Sequence, residues 1–147
     1  MADLLLFRVG RELFAAELSG VEEAVDLESL APLQQVPGTA PTARGLLMLR
    51  GSLVPLFSPA APLGVAPEGA STALVIRENT GRVAILVDDV EDVLTLGDGE
   101  LRPAPAGDAR DGGVLRGVTR RGGSLVAIVD LMALVAGCRG SARPEAA

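Results

Sequence analysis

Short apolar runs alternate with glycine-rich turns along most of this chain, a pattern typical of all-β proteins. Residues 19–22 have the spacing of a helix capping box and predict a short helical turn. Residues 130–135 predict a brief helix that stops before Gly137. Pairs of apolar runs that flank a tight turn predict three β-hairpins, formed by residues 4–9 with 13–18, 73–77 with 82–87, and 115–119 with 124–129.

Two loop-like segments divide the chain. Residues 58–71 contain Pro59, Pro62 and Pro67 and predict a linker, and residues 97–113 are rich in glycine, proline and aspartate. We therefore expect a single domain over residues 1–147, with a first half near residues 1–70 and a second half near residues 71–138. Residues 139–147 are expected to form a flexible tail.

The two halves also resemble each other in sequence. One interpretation is two unrelated sets of hairpins with similar composition. The alternative is an internal duplication that produces two similar small barrels with a groove between them, since barrel closure removes exposed strand edges. The matched pairs are Leu5 with Leu74, Ala15 with Ala84, Val21 with Val90, Glu22 with Glu91, Gly45 with Gly117 and Gly51 with Gly123.

The polar composition removes most kinds of catalytic chemistry. The chain has no histidine and no lysine, so it has no histidine base for a nucleophilic triad and no amine for Schiff-base formation. Its net charge of −6 and its 2% aromatic residues argue against nucleic-acid binding. The lone Cys138 fits a reducing compartment, and we see no signal-peptide pattern and no membrane-spanning apolar window. We expect a soluble cytoplasmic protein.

Three smaller features have a functional and a plain interpretation. The acidic run of Asp88, Asp89, Glu91 and Asp92 lacks the spacing of a calcium loop, which favours a solvated face over a metal site or paired catalytic carboxylates. Arg120 and Arg121 at a hairpin tip favour a solvated turn over a site for an acidic partner. Cys138 has only an arginine beside it, which favours an incidental residue in a fraying tail.

Several motifs together resemble the CheW family of chemotaxis coupling proteins. Residues 45–56, Gly-Leu-Leu-Met-Leu-Arg-Gly-Ser-Leu-Val-Pro-Leu, are similar to the family signature in which Gly-x-x-Asn-Leu-Arg-Gly leads into an apolar strand with a proline. Residues 86–94 resemble the Val-Asp-x-Val motif of the family's second half, and residues 101–105, Leu-Arg-Pro-Ala-Pro, match the loop after it. Residues 115–118 and 129–131 match the last hairpin, so the resemblance spans residues 4–136.

This resemblance implies a mainly β fold of two five-stranded, SH3-like β-barrels with short helical turns and a groove between them. It implies a non-enzymatic adaptor, without cofactor or metal, that couples the cytoplasmic tip of a chemoreceptor (a methyl-accepting chemotaxis protein) to the regulatory domain of a histidine kinase at receptor arrays. Other CheW-like proteins are further candidate partners, whereas nucleic acid and membrane insertion are not expected. The alternatives are a small-barrel nucleic-acid-binding or other protein-binding module, and an enzyme that uses paired carboxylates.

By position, the resemblance also assigns a receptor-binding groove. A helix face suits an aliphatic groove, and arginine suits a partner's carboxylates or carbonyls. Glu23 and Arg50 are expected to form an ion pair that holds the shape of the groove. The full set of expected groove residues is Val21, Glu23, Gly45, Leu47, Leu49, Arg50 and Val87. For Val21, Leu47 and Leu49 the alternative is a plain core position, since alternating strand residues are mostly buried.

The chain departs from the family pattern at two places. Met48 stands where the family has asparagine, and Ser58-Pro59 stands where it has Asp-Leu, although the second half keeps Asp130-Leu131. Proline lacks a backbone N–H, so Pro59 is expected to oppose the helical turn found there in the family. We hypothesise that one interaction surface is lost or changed, with kinase binding the one most affected.

Overall fold

The computed structural model describes residues 2–27, 43–66, 69, 71–79, 81–97, 99–103 and 113–140. These residues form ten strands, two helices and one 3₁₀ turn at Leu18–Gly20. The strands are β1 (Ala2–Val9), β2 (Glu12–Glu17), β3 (Val21–Asp26), β4 (Ala43–Leu49), β5 (Ser52–Phe57), β6 (Thr72–Glu78), β7 (Gly81–Val87), β8 (Asp89–Leu96), β9 (Leu115–Arg121) and β10 (Ser124–Val129), and the helices are α1 (Ala60–Leu63) and α2 (Leu131–Gly140).

The strands form two five-stranded sheets, which confirms the predicted fold class. Sheet 1 has the strand order β8-β1-β2-β10-β9, and sheet 2 has the order β3-β6-β7-β5-β4. The three predicted hairpins are β1–β2, β6–β7 and β9–β10, and β4–β5 forms a fourth.

Each sheet combines strands from both halves of the sequence. We define the first repeat as residues 2–66, with β1–β5 and α1, and the second repeat as residues 69–140, with β6–β10 and α2. Sheet 1 contains the first two strands of the first repeat and the last three of the second, and sheet 2 contains the converse set. The predicted linker at residues 58–71 therefore includes α1 of the first repeat, and it connects β5 to β6, which lie in the same sheet.

Equivalent strands of the two repeats pair in the same register. Leu6 lies opposite Ala15 in β1–β2, and Val75 lies opposite Ala84 in β6–β7. The parallel pairs agree as well, since Ala15 meets Ile128 in β2–β10 as Ala84 meets Leu56 in β7–β5. Shared register at matched positions supports the internal duplication.

Both sheets are strongly curled. Five strands laid flat would place the two edge strands about 19 Å apart, which is beyond the combined reach of an Arg and a Glu side chain. Yet Glu23 on edge strand β3 lies 2.5 Å from Arg50 at the end of edge strand β4. In sheet 1, Arg121 at the end of β9 is 2.9 Å from Asp92 on β8. Side chains thus join the edges of each barrel-like sheet.

Apolar residues fill three regions. Each curled sheet has its own aliphatic interior, around Leu6 and Ile128 in sheet 1 and around Leu47 and Leu56 in sheet 2. The largest cluster lies between the sheets, where strands of both repeats pack with α1 and α2. Phe7 and Phe14 stack in this cluster with their ring centroids 6.1 Å apart. The described residues between the sheets form a packed core.

Strands β3 and β8 were not predicted from the pattern. Residues 19–22 do not form a capped helical turn, because the 3₁₀ turn at Leu18–Gly20 has no side-chain cap and β3 begins at Val21. Along β3, half-buried Val21, Glu23 and Val25 alternate with exposed residues. This period of two places one face of the strand against the protein, and charged residues on the other face conceal the signal.

Helix α2 is longer than predicted. It passes through Gly137 and ends at Gly140, because tertiary contacts offset the cost of a glycine inside a helix. The Oδ1 atom of Asp130 accepts the N–H of Ala133 at 3.0 Å, which caps the helix start. Near its end, Arg139 binds Glu78 at 2.6 Å. Arg139 is therefore not part of a frayed tail, and residues 141–147 lie outside the described part of the chain.

Pro59 does not prevent the helical turn that follows it. The residue occupies the N-cap position of α1 with φ −85°. The first N–H groups of a helix have no intrahelical acceptor, so a proline at this end loses no hydrogen bond. The effect expected from Pro59 is therefore absent, although α1 is far shorter than its equivalent α2.

Candidate functional site

Arg50 occupies the tip of the β4–β5 hairpin in a conformation that side chains rarely adopt. Leu49 pairs with Ser52, which leaves Arg50 and Gly51 as the two turn residues, with φ of +48° and +82°. Positive φ at both positions is the signature of a type I′ turn, which favours Asn-Gly or Gly-Gly. The equivalent of Arg50 in the second repeat is Gly122, with φ +61°. A side chain at such a position is uncommon, and Arg50 is the one non-glycine residue with positive φ among the described residues.

The ion pair predicted between Glu23 and Arg50 is present. Both carboxylate oxygens of Glu23 contact Nη2 of Arg50, with Oε1 at 2.5 Å. The Arg50 side chain stays 64% exposed, whereas that of Glu23 is 25% exposed. An exposed pair contributes only about 0–1 kcal/mol, so its main effect is to orient the guanidinium.

Glu22, the neighbour of Glu23, anchors two further arginines on the same sheet. It accepts hydrogen bonds from Arg82 at 2.5 Å and from Arg77 at 2.6 Å. The bond from Arg82, followed by that from Arg77, lowers the pKa of Glu22 to about 2. These contacts tie β3 to β6 and β7 beside the Glu23–Arg50 pair.

Two exposed apolar side chains lie on the outer face of the same hairpin. Met48 and Leu53 are directly opposed across β4 and β5, and they are 51% and 53% exposed. Opposed residues of an antiparallel pair point to the same face and lie within contact distance. We call the surface formed by Glu23, Met48, Arg50 and Leu53 the hairpin patch.

The other residues expected in a receptor groove do not all reach the surface. Leu47 and Leu49 are 1% and 7% exposed and fill the interior of sheet 2. Val87 is fully buried in the core between the sheets, and Val21 packs at the edge of that core. Gly45 is half-buried on β4 beside a register shift, with φ +127°. Of the expected set, Glu23 and Arg50 are the side chains that meet at the surface.

A second surface lies on sheet 1, at a pocket of about 480 Å³. Arg102 and Arg120 both line it, and neither guanidinium has an ion-pair partner among the described residues. Exposed Leu125 lies opposite Arg120 across β9–β10, as Leu53 lies opposite Met48 in the first repeat. We call this surface, formed by Arg102, Arg120 and Leu125, the arginine pocket.

Among the residues that the structure describes, the edge of β9 is open beside this pocket. Val118 exchanges two 2.8 Å backbone hydrogen bonds with Arg102, which forms an isolated bridge on the outer side of the strand. Backbone groups alternate in direction along a strand, so the N–H and C=O of Arg120 point to this same outer side. Within the described residues, strand pairing stops at the bridge, which leaves these two groups available to a partner.

Three of the four residues in the acidic run, Asp88, Glu91 and Asp92, have partners. Asp88 accepts the N–H groups of Gly10 and Gly69 at 3.2 Å and 3.0 Å. Glu91 binds Arg8 at 2.5 Å, and Asp92 binds Arg121. In the part of the chain that the structure describes, no three metal-binding side chains come together. None of its helices is long and apolar enough to cross a membrane.

Cys138 and the Ser58-Pro59 pair are internal. The thiol of Cys138 is fully buried and donates to the carbonyl oxygen of Ser58 at 3.6 Å. Burial raises the pKa of Cys138 to about 11, which keeps the thiol protonated. Cys138 is therefore a core residue and not part of a fraying tail. Ser58 is 5% exposed, so this departure from the family pattern changes packing and not a surface.

Two curled sheets that present a charged hairpin tip and an arginine-lined pocket define a protein-binding scaffold. The family model of the CheW-like domain matches residues 3–138, and the chain belongs to this family. Members of the family are non-enzymatic chemotaxis scaffolds, so this chain is a coupling protein and not an enzyme.

Relatives and a solved structure agree with this assignment. The chemotaxis protein CheW of Rhizobium meliloti (strain 1021) is 29% identical over 134 residues, covering 88% of this chain and 84% of the relative. A probable chemotaxis protein CheW of Rhizobium etli is 31% identical over 106 residues, covering 70% and 66%. The crystal structure of scaffolding protein TtCheW from Thermoanaerobacter tengcongensis has a TM-score of 0.79 at 20% identity, covering 90% of this chain and 86% of that one, and it shows the same fold.

The arginine pocket was missed by sequence reasoning. The hairpin pattern favours a solvated turn for Arg120, and the sequence offers nothing for Arg102 beyond its motif. Their proximity depends on the bridge between Arg102 and Val118, which joins a loop to a strand distant in sequence. One signal was available, since the repeat alignment places Arg120 on Met48 and Leu125 on Leu53.

Proposed function

We propose that this chain couples the cytoplasmic tip of a chemoreceptor to the regulatory domain of a histidine kinase, in the cytoplasm at receptor arrays. Membership of the CheW-like family supports the general role. The observation that carries the proposal is Arg50, which stays exposed in a left-handed turn while Glu23 orients it. A residue that stands in a strained backbone conformation belongs to a binding surface more readily than to a framework.

The hairpin patch is suited to the receptor, whose tip is a helical hairpin. Met48 and Leu53 offer an apolar contact about half exposed, and Arg50 offers a planar cation at its end. An amphipathic helix meets such a surface with an apolar residue and, one helical turn away, an acidic one. Arginine binds a carboxylate with two parallel hydrogen bonds, which fixes the orientation of the helix.

The arginine pocket is suited to the kinase regulatory domain, which is expected to have a β fold like this one. The open backbone groups of Arg120 favour a strand or loop over a helix. Arg102 and Arg120 are available to carboxylates or carbonyl oxygens of that segment, and Leu125 supplies apolar area. Two partners would then bind opposite repeats and be held in a fixed arrangement.

The specialisation that we propose rests on Met48. Ser58 and Pro59 are buried, so they offer no direct contact to a partner. Met48 places an apolar side chain, 51% exposed, at a position where the family has asparagine. We propose that this chain binds its receptor through a more apolar contact than ordinary coupling proteins, and that its affinity for the kinase domain is lower than theirs.

Two probes test the proposal, a receptor-tip helical hairpin and a kinase regulatory domain, with affinities measured by calorimetry. Arg50→Glu should lower receptor affinity by about tenfold or more, equivalent to about 1.4 kcal/mol, and leave kinase affinity unchanged. The double variant Arg102→Glu/Arg120→Glu should have the opposite selectivity. Met48→Asn should weaken receptor binding less than Arg50→Glu does.

Arg44→Glu is the matched control, because Arg44 is an exposed arginine at the start of β4. It should alter neither affinity. Folded variants that lose both partners equally, or that lose neither, would refute the assignment of two separate surfaces. Kinase affinity equal to that of an ordinary coupling protein would remove the proposed specialisation.

A further inference from the structure

Charged side chains gather at one end of sheet 2, and they are Arg50, Arg77, Arg82, Glu22 and Glu23. Arg77 and Arg82 are directly opposed across β6 and β7, so their side chains point to the same face of the sheet. Glu23 lies opposite Val75, which stands two residues before Arg77 on β6 and therefore points to that face as well. The carboxylate of Glu23 is thus near more than one arginine.

Glu22 is an extra residue in β3. The pairing of β3 with β6 shifts register between Val21 and Glu23, which makes Glu22 the inserted residue of a β-bulge. Its carboxylate accepts hydrogen bonds from Nε and Nη2 of Arg82 at 2.5 Å and 3.3 Å, and from Nη2 of Arg77 at 2.6 Å. One glutamate therefore holds two arginines, directly beside the ion pair that Glu23 makes with the β4–β5 hairpin.

Arg82 also lies within electrostatic reach of Glu23. The hydrogen bond and the charge of Glu22 raise the pKa of Arg82, and the charge of Glu23 raises it further. Consecutive Cα atoms are about 3.8 Å apart, so a small rotation would bring the Arg82 guanidinium from Glu22 to Glu23. The Arg82 side chain is 35% exposed, whereas those of Arg50 and Arg77 are 64% and 68% exposed. Because water screens a partly buried pair less, Arg82 is the stronger competitor for Glu23.

We propose that Glu22 positions the guanidinium of Arg50 by holding Arg82 and Arg77 away from Glu23. This inference rests on the proposed function, in which Arg50 contacts the receptor. Without the charge of Glu22, Arg82 turns to Glu23 and displaces Arg50, because the two arginines then compete for one carboxylate. The displaced guanidinium takes many orientations at the hairpin tip, and the receptor has to order it again on binding, which lowers the affinity.

Sheet 1 contains the same arrangement in the other repeat. The pairing of β1 with β8 shifts register beside Glu91, which is the inserted residue of a second bulge and matches Glu22 in the repeat alignment. Glu91 binds Arg8 at 2.5 Å. The next residue, Asp92, binds Arg121 at the end of β9. In both repeats, therefore, a bulge glutamate stands beside an acid that holds an arginine of a hairpin.

The two arrangements differ at one position. Arg82 lies opposite Arg77 in β6–β7, whereas the equivalent residue, Leu13, lies opposite Arg8 in β1–β2. Leu13 has no charge with which to compete for the neighbouring acid. The competition is therefore specific to sheet 2, and Arg82→Leu introduces there the residue that sheet 1 already has.

Three variants of the full chain test the competition, namely Glu22→Gln, Arg82→Leu and the two combined. A neutral amide binds a guanidinium less strongly than a carboxylate does, so Glu22→Gln should release Arg82. NMR of the arginine side chains should then show the Arg50 guanidinium rotating rapidly and that of Arg82 held. Affinity for the receptor-tip helical hairpin, measured by calorimetry, should fall by about threefold. Arg82→Leu alone should change neither measurement, and the combined variant should restore both, because the competitor is gone.

Glu91→Gln is the matched control. It removes the bulge glutamate of sheet 1, where Leu13 replaces the competing arginine. Arg121 should stay held by Asp92 in this variant, and receptor affinity should be unchanged.

The combined variant separates competition from a purely structural role of the bulge. An Arg50 guanidinium that stays held in Glu22→Gln would overturn the proposal. Rapid rotation of Arg50 that persists in the combined variant would overturn it too, because Glu22 would then act by supporting the bulge alone. If the Arg50 signal changes and recovers as expected while receptor affinity stays constant across the series, the role of Glu22 is upheld and the receptor site of the proposed function is refuted.

Discussion

At Arg50, the backbone conformation favours glycine, whereas the ion pair with Glu23 requires the arginine side chain. Its left-handed conformation costs an L-residue about 1–2 kcal/mol, and the second repeat avoids this cost with Gly122. The arginine at this position binds Glu23 and lies at the tip of the hairpin that carries Met48 and Leu53. Substitutions at Arg50 can therefore separate the effect of its backbone conformation on stability from the effect of its guanidinium on binding.

Arg50→Gly and Arg50→Ala should separate these contributions. Both remove the guanidinium, so both should weaken receptor-hairpin binding by a similar factor. Glycine accepts positive φ without strain, so Arg50→Gly should exceed Arg50→Ala in free energy of unfolding by about 1 kcal/mol, as measured by denaturant titration. Receptor affinity that survives in Arg50→Gly would show that the turn, and not the guanidinium, is recognised.

Glu22 makes folding sensitive to acid. Its hydrogen bonds with Arg82 and Arg77 lower its pKa to about 2 from an ordinary value of 4.5. A carboxyl group with a lower pKa in the folded state stabilises that state above pH 4.5, and this contribution is lost as pH falls from 4.5 towards 2. Glu22→Gln should therefore show a smaller decrease in unfolding free energy between about pH 6 and about pH 2.5.

Denaturant titration followed by circular dichroism measures this difference. Asp89→Asn, at an exposed position on β8, is the control and should retain the acid sensitivity of the parent chain. An unchanged pH profile in Glu22→Gln would mean that the two arginines release Glu22 in solution.

Among the helices and strands, α2 contains a position at which a substitution should raise the stability of the fold. Gly137 lies inside this helix, and a Cβ at this position would be 3.4 Å from Cβ of Pro62, at the tight end of ordinary contact. Gly137→Ala should raise the free energy of unfolding by about 0.5–1 kcal/mol, because alanine loses less backbone entropy in a helix. Ala136→Gly, at an exposed neighbouring position, should lower it by a similar amount. A loss of stability in Gly137→Ala would indicate that α1 and α2 cannot separate by the small distance required.

The elements that were predictable have strong local signals. Three hairpins were recognised because apolar runs flank turn residues such as Gly10 and Gly122. Strands β3 and β8 were not, because their exposed faces carry acids such as Glu22 and Asp92, which pair with arginines on other strands. The end of α2 was placed too early because the packing of Gly137 on Pro62 is a tertiary contact.

The candidate site was predictable only in part, for a similar reason. The family resemblance identified the Glu23–Arg50 pair by position. Leu47 and Leu49 had two interpretations, groove contact or core, and the alternation of β4 directs them inward and Met48 outward. The arginine pocket depends on a bridge between a loop and β9, which no local pattern encodes.

For the whole molecule, unfolding is expected to be cooperative, because each repeat contributes strands to both sheets. Sheet 1 cannot lose β8 without disturbing β6 and β7, which belong to the same repeat but lie in sheet 2. Leu6→Ala in the interior of sheet 1 should cost about 2–5 kcal/mol and lower the unfolding midpoint of both sheets equally. Methyl resonances from each sheet report this, since the chain has no tryptophan or tyrosine. Two separate transitions would contradict the prediction, and Leu53→Ala at the surface is the control.

The shared construction of the sheets also bears on how the chain would survive proteolysis. A protease that nicks the peptide backbone at residues 67–68 would cut the connection between the repeats but none of the strand pairs β1–β8, β3–β6, β2–β10 or β5–β7. The two fragments should remain bound after cleavage and separate only in denaturant. Nicked protein would then elute from a sizing column as the intact chain does.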